Sequence, residues 1–290
     1  MICMEDFSVW RLVEKDIEFV YQMNVTEDWN DRINDIRRMF NYEPDGSLVA
    51  EVDGVPVGHV FTVNYGRLGW IGLLIVKLEY RKKGVGTLLM KKAVDYLLHC
   101  GVETIKLEAV PEISDLYRRL GFIDEFDSLR FISTSRKTVS RRIDSTKGIE
   151  RGKMADIARF DAEYFGTDRT RVLLSLYQEN PKLCFACYEG SDVVGYVMCR
   201  RATRGYNLGP FVCNPKNLGV ARELLARSIE KIGPNTAIYS GIPATNEKAV
   251  MIFQEFGFKP YSKSIRMHLG KHPTIENVSG IFAIGGAMKG

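Results

Sequence analysis

The chain repeats itself. Five landmarks recur in the same order: Asp16-Ile17 and Asp156-Ile157, Asp31-Arg32 and Asp168-Arg169, Gly58 and Gly195, Gly84 and Gly219, Gly121-Phe122 and Gly257-Phe258. The offsets between partners are 140, 137, 137, 135 and 136 residues. So constant an offset means two diverged copies of one fold, a reading that precedes the weighing of any local motif. The length of 290 residues suits two domains, which run to about 100–200 residues each. After Phe131 the sequence turns polar and basic through STSRKTVSRRIDSTKG. Residues 134–147 are therefore read as a connector between domains at 1–133 and 148–290.

Copy one reads as mixed α/β. Helices are expected from Asp16 and over Asp31 to Phe40, where Ile33, Ile36 and Phe40 keep a helical period. SLVAEV and VGHVFTV flank Asp53-Gly54, the signature of a tight hairpin. WIGLLIV reads as a buried strand and Val85 to His99 as an amphipathic helix. TIKLEAV is a further strand, Ser114 to Leu120 a short helix, and Phe122 onward a final hairpin. That order implies a mixed sheet with helices on both faces.

Several classes are excluded. A membrane-spanning helix needs ~20 apolar residues, and the longest run, Leu68 to Val76, is far shorter and holds two glycines. Glu5 and Asp6 stand where a signal peptide would be basic and then apolar, so a cytoplasmic protein is expected. A net charge of +4 falls short of a nucleic-acid binder. The basic connector residues Arg136, Lys137, Arg141 and Arg142 lack the interleaved aromatics that stack bases. Cys184 and Cys187 form a CxxC in a strand-like stretch, where two residues three apart face opposite ways, so no metal site is expected. His59, His99, His268 and His272 fall in no metal or nucleophile pattern. Gly285-Gly286 is read as a flexible tail or turn.

The segment LIVKLEYRKKGVGT, residues 74–87, carries the chemistry. A buried strand runs into a basic, glycine-bearing turn and then a helix N-terminus. Free backbone N–H groups and the positive end of the helix dipole suit an anion there. Gly84 and Gly86 remove side chains so that a phosphate can come close, and Arg81, Lys82 and Lys83 add charge. It is neither a Walker loop nor the dinucleotide fingerprint, because the lysine and third glycine those require are missing.

The pattern Val-x-Leu-x-Tyr-Arg-x-x-Gly-x-Gly, with Leu116-Tyr117-Arg-Arg-Leu-Gly121-Phe122 downstream, resembles the GNAT superfamily of acyl-CoA-dependent N-acetyltransferases over residues 5–131. The resemblance implies two tandem domains, each a mostly antiparallel sheet with helices on both faces. It implies acetyl-CoA as cosubstrate, with no metal. Its pyrophosphate would lie on Arg81, Lys82, Lys83, Gly84, Val85, Gly86 and Thr87, and its pantetheine arm along the backbone of Leu74, Ile75 and Val76. Tyr117 takes the position that protonates the departing thiolate. Copy two resembles the same family with an eroded site: Lys216-Asn-Leu-Gly219-Val-Ala221 has lost the paired lysines, Pro215 interrupts the approach, and Phe253 stands for the tyrosine. An active first domain followed by a degenerate second one looks like a tandem class in which the second helps form the acceptor pocket. On that basis Asp168, Arg169 and Arg266 are candidates for the pocket wall.

Amine attack on a thioester needs the amine neutral, hence a base. Glu108 is the candidate, with an ordinary exposed strand carboxylate as the competing reading. Tyr117 equally suits packing, and Asp168 suits a helix N-cap. The leading expectation is acetyl transfer to a primary amine of a small molecule or larger acceptor. A non-catalytic acyl-CoA sensor and a nucleic-acid or protein interaction module remain alternatives, and the acceptor and oligomeric state stay open.

Overall fold

The computed structural model describes residues 7–134, 146–271 and 275–290. Cys3, Glu5, Asp6, the four basic connector residues and His272 lie outside the described residues. Copy one runs β1 (Ser8–Arg11), α1 (Ile17–Thr26), α2 (Ile33–Tyr42), β2 (Leu48–Val52), β3 (Val55–Asn64), β4 (Leu68–Val76), α3 (Val85–His99), β5 (Thr104–Ala109), α4 (Ser114–Arg119) and β6 (Ile123–Ser133). Copy two runs β7 (Thr146–Gly148), α5 (Met154–Phe165), α6 (Thr170–Glu179), β8 (Cys184–Glu189), β9 (Asp192–Arg201), β10 (Tyr206–Cys213), α7 (Leu218–Ile232), β11 (Ile238–Pro243), α8 (Glu247–Glu255), β12 (Lys259–Gly270) and β13 (Ile281–Ala283). The hairpin turn at Asp53-Gly54 takes positive φ at both residues, as a two-residue connection of right-twisted strands requires.

All these strands join one continuous sheet, in the order β1-β2-β3-β4-β5-β12-β6-β11-β10-β9-β8-β7, with β13 against β10. Its pairings are antiparallel except β4–β5 and β10–β11. The final hairpin expected from Phe122 onward does not form. β6 is instead one long strand between β11 and β12, both from copy two. β12 in turn pairs with β5, so each copy completes its sheet with a strand of the other. A hairpin needs its partner strand close by in sequence; here that place is filled by β12.

Helices cover both faces. α1, α2, α5 and α6 bury one core shared by the two copies, including Ile36, Phe61, Trp70, Ile157, Phe165 and Leu173. On the other face α3 and α4 close a copy-one core, while α7 and α8 close a copy-two core. Cys184 and Cys187 belong to different cores, on opposite sides of β8 as their spacing requires. The repeat glycines serve the same backbone needs twice. A Cβ on Gly58 would stand 3.3 Å from Leu89, and one on Gly195 would stand 3.0 Å from Leu224, the same helix residue in each copy. Gly121 and Gly257 take positive φ just past α4 and α8, the left-handed position that ends a helix.

Candidate active site

In copy one β4 and β5 pair only from Leu68↔Thr104 to Ile71↔Leu107. Beyond that the strands part, helped by an irregularity in the β3–β4 register and a positive φ at Leu73. Leu74, Ile75 and Val76 thus keep β3 on one side and, among the described residues, have no strand on the other. The strand leads into the basic turn, where Gly84 adopts φ 97° as the N-cap of α3 with no side chain capping the helix. The first turn of N–H groups has no intrahelical partner, so this end can receive an anion.

The protein's own packing does not explain Gly86. A Cβ there would meet only Leu116 and Val76, both at an ordinary 3.8 Å, and one on Gly84 would meet nothing within 4 Å. The cradle is open where a phosphate group would need it to be, which fits the pyrophosphate expected from the sequence. Arg81 is engaged differently from that expectation: its Nε donates to the Val76 carbonyl at 2.9 Å and its other end pairs with Glu27, so it braces the turn. Lys83 lies 5.1 Å from the Tyr80 ring.

Beside this opening lies a cleft of about 670 Å³ between the copies. It is walled by the bulged part of β4, by Tyr117, by the Asp28–Asp31 loop, by copy-two residues including Arg200, Tyr239 and Tyr261, and by Ile284–Met288. Tyr117 is 5% exposed, and its phenol makes no hydrogen bond among the described residues. Burial raises its pKa, so it holds its proton at neutral pH.

Glu108 also lines the cleft, but its geometry does not suit a base. Its carboxylate accepts from Ser128 Oγ at 2.8 Å, Arg266 Nε at 2.7 Å, Arg130 at 3.4 Å and Ser264, which uses all its acceptor sites. Burial alone would raise its pKa, yet Arg266 and Arg130 outweigh that and hold it below the usual range. Its partner Arg266 is 1% exposed, bound on its far side to Glu276 at 2.7 Å and stacked over Trp70 at 4.5 Å. Arg266 is thus a structural cation inside the exchanged-strand junction, away from the cleft wall. Arg169 is likewise buried, doubly bonded to Asp161 at 2.7 and 2.8 Å and stacked on Phe165. Asp168 is exposed and accepts from the Thr170 backbone at 2.8 Å, a local turn just before α6, whose N-cap is Arg169 rather than the aspartate expected there. None of these three lines the cleft.

Sequence reasoning missed two elements. Asp31, noted there only as a helix landmark, lines the cleft. Burial, then the neighbouring Asp35 carboxylate, pushes its pKa up to about 6. Gly285-Gly286, expected to be a flexible tail or turn, lies in a segment, Ile284–Gly290, that is tied down: Tyr65 Oη donates to Lys289 O at 2.8 Å, Trp70 Nε1 to Ala287 O at 2.9 Å, and Arg200 to Gly285 O at 3.1 Å. A Cβ on Gly72 would strike the Met288 backbone, so that glycine admits the segment against the β4 bulge. Only the paired glycines hinted at it.

Copy two has the same frame with both openings filled. β13 pairs along β10 as Phe211↔Ala283 and Val212↔Ile281, on the strand positions that match Leu74 and Ile75. At α7 the Asn217 side chain accepts from Val220 N at 3.4 Å and donates to Glu189 at 2.9 Å. Gly219 sits within the first turn of α7 and so does not repeat the cap role of Gly84. Phe253 is fully buried among Phe131, Phe211 and Phe258.

Residues 10–122 match the Acetyltransferase (GNAT) family model, and residues 157–283 match an Acetyltransferase (GNAT) domain model. The chain is 25% identical over 274 residues to holothin acyltransferase of Pseudoalteromonas sp. (strain SANK 73390), covering 93% of this chain and 91% of that one. A Pyrococcus horikoshii protein described as an acetyltransferase shares the fold with a TM-score of 0.81 at 24% identity, over 98% of this chain and 96% of its own. A tandem GNAT protein from the clavulanic acid biosynthesis pathway aligns with a TM-score of 0.64 at 12% identity, over 91% and 98% of the two chains. Among the described residues no helix is long and apolar enough to cross a membrane. With both halves matched and the paired frames laid end to end, the chain belongs to the GNAT acetyltransferase family, as a tandem N-acyltransferase.

Proposed function

We propose that the chain transfers an acetyl group from acetyl-CoA to a primary amine by direct attack on the thioester, at a single site in copy one. The carrying observation is the contrast just described: the strand opening and helix end are free in copy one and occupied by Asn217 and β13 in copy two. Lys82, Lys83 and the first-turn N–H groups of α3 hold the pyrophosphate, and the free edge of Leu74–Val76 orients the pantetheine arm. Acetyl-CoA supplies the activated acyl carbon. Tyr117, protonated and without a hydrogen bond among the described residues, gives its proton to the departing sulfur. The acceptor enters through the cleft between the copies, where Asp28–Asp31 and Ile284–Met288 face β4. Glu108, Arg130 and Arg266 hold the β5–β12–β6 junction that forms its floor.

Titration calorimetry tests the first half of this reading. One coenzyme A per chain is expected; two equal sites overturn it. A thiol-release assay over an amine panel tests the second, since a non-catalytic acyl-CoA sensor binds without releasing thiol.

A further inference from the structure

The geometry points to an acceptor that is an apolar amine without an acidic group, whose ammonium is received by Asp31. This rests on the transferase reading above. The cleft walls are largely apolar and aromatic: Trp29 and Leu73 line it, and Tyr239 and Tyr261 meet edge-to-face at 6.0 Å. Four cationic side chains also line it, and each already has a carboxylate. Arg130 is bound to Glu108 at 3.4 Å, Arg200 to Asp35 at 3.2 Å, Arg204 to Asp28, and Lys263 to Asp127 at 2.8 Å. Arg200 further donates to the Gly285 and Gly209 carbonyls, which leaves it no role as a free anion receptor. An acidic group on the acceptor would have to share a cation with one of these carboxylates or displace it.

The acids are not balanced in the same way. Asp31 lines the cleft, and its carboxylate makes no hydrogen bond or ion pair among the described residues. Glu112 adds a second carboxylate at the exposed rim. The charges facing Asp31 are Asp35, Arg200, Arg38 and Lys289. Asp35 is itself bound to Arg38 and Arg200, so those two cations are shared before they reach Asp31, and burial holds Lys289 well below its ordinary pKa, which weakens it as a counter-ion. Among the described residues that line the cleft, one inner carboxylate is left unpaired and each cation has a carboxylate partner.

Asp31 also meets the proton requirement. Raised to about 6, it is ionised at neutral pH and a stronger base than an ordinary carboxylate, so it pairs with the bound ammonium and takes the proton that the amine must lose before attack. The nitrogen pair then forms the C–N bond as the C–S bond breaks. The sulfur takes the Tyr117 proton, and the second nitrogen proton restores the phenol. Nothing is oxidised or reduced.

Matched probes test the inference on the full chain loaded with coenzyme A: tryptamine against tryptophan, and phenethylamine against phenylalanine, read by titration calorimetry, with thiol release on the acetyl-CoA form. The decarboxylated amine of each pair should bind at least about tenfold more tightly, the scale of one charge-assisted contact. Asp31→Asn should lower amine binding and kcat/KM by about tenfold or more while leaving coenzyme A affinity unchanged. Amino acids binding as well as their amines, an Asp31→Asn variant that binds amines normally, or no amine binding by a chain that binds coenzyme A would each overturn it. Failure of the wild-type chain to bind coenzyme A is a separate result, which removes the transferase reading itself.

Discussion

The two copies share a frame and differ in what fills it. Both keep the glycine beneath the long helix, Gly58 under α3 and Gly195 under α7, and both end the following short helix on a left-handed glycine, Gly121 and Gly257. These positions are fixed by backbone geometry, which any working copy of the fold must satisfy. The site positions are not so fixed. Where copy one presents a free strand edge, an uncapped helix end and a buried phenol, copy two presents β13, the Asn217 cap and Phe253. Each replacement satisfies groups that would otherwise be exposed or unpaired, so loss of the site in copy two is compatible with gain in stability. On the proposed reading, the second copy serves as a wall for the site of the first, and residues of both copies line the cleft.

The largest expected effect breaks this contrast at the helix ends. Gly84→Glu with Gly86→Glu puts bulk and negative charge at the α3 N-terminus and should abolish coenzyme A binding in calorimetry. Gly219→Glu, in the first turn of α7, should leave the affinity unchanged. Equal loss from both would mean that copy two also binds.

Next in size is the pair Arg169→Ala and Arg32→Ala, matched positions of the repeat. Arg169 is 3% exposed, and its removal strands the buried Asp161, which should cost about 3–5 kcal/mol in urea unfolding. Among the described residues the Arg32 side chain makes only a long 3.7 Å pair with Glu179 at a partly exposed position, worth about 0.2–1 kcal/mol. A stable Arg169→Ala protein with a raised acceptor KM would instead return Arg169 to the pocket wall expected from sequence.

Tyr117→Phe should lower kcat by about 100-fold with little change in acetyl-CoA affinity. The reciprocal change, Phe253→Tyr, should add no activity and destabilise by about 1–3 kcal/mol, because it buries a hydroxyl in an aromatic cluster. Unchanged turnover in Tyr117→Phe would remove the phenol from the reaction.

Local signals carried most of what the sequence made legible. The Asp53-Gly54 turn, the α3 periodicity and the strand–turn–helix of residues 74–87 are each determined within a short window, and each forms where expected. The strand exchange was not legible, because an isolated β6 pattern does not say which neighbour it pairs with; the choice depends on β11 and β12 far along the chain. Arg169 and Arg266 were misplaced for the same reason. Charged residues near a motif suggest a pocket, and only the partners Asp161, Glu108 and Glu276 show that they are interior. Asp31 was legible only as a helix landmark, because its character comes from burial, Asp35 and the copy-two Arg200 together.

The smallest expected effect sharpens the comparison most, because two neighbouring glycines should respond with opposite sign. Gly84 is required by its own backbone: at φ 97° any side chain is strained, so Gly84→Ala should destabilise by about 1–2 kcal/mol. Gly86 lies in the first turn of α3 with room for a methyl group, so Gly86→Ala should stabilise the fold by up to about 1 kcal/mol through helix propensity. If the missing side chain at Gly86 serves the close approach of a phosphate, that same substitution should weaken coenzyme A binding while it raises the melting temperature. A stabilised Gly86→Ala protein with unaltered coenzyme A affinity would break the link between that glycine and the ligand. Copy two supplies the control, since its aligned residue is already Ala221, buried against the copy-two core.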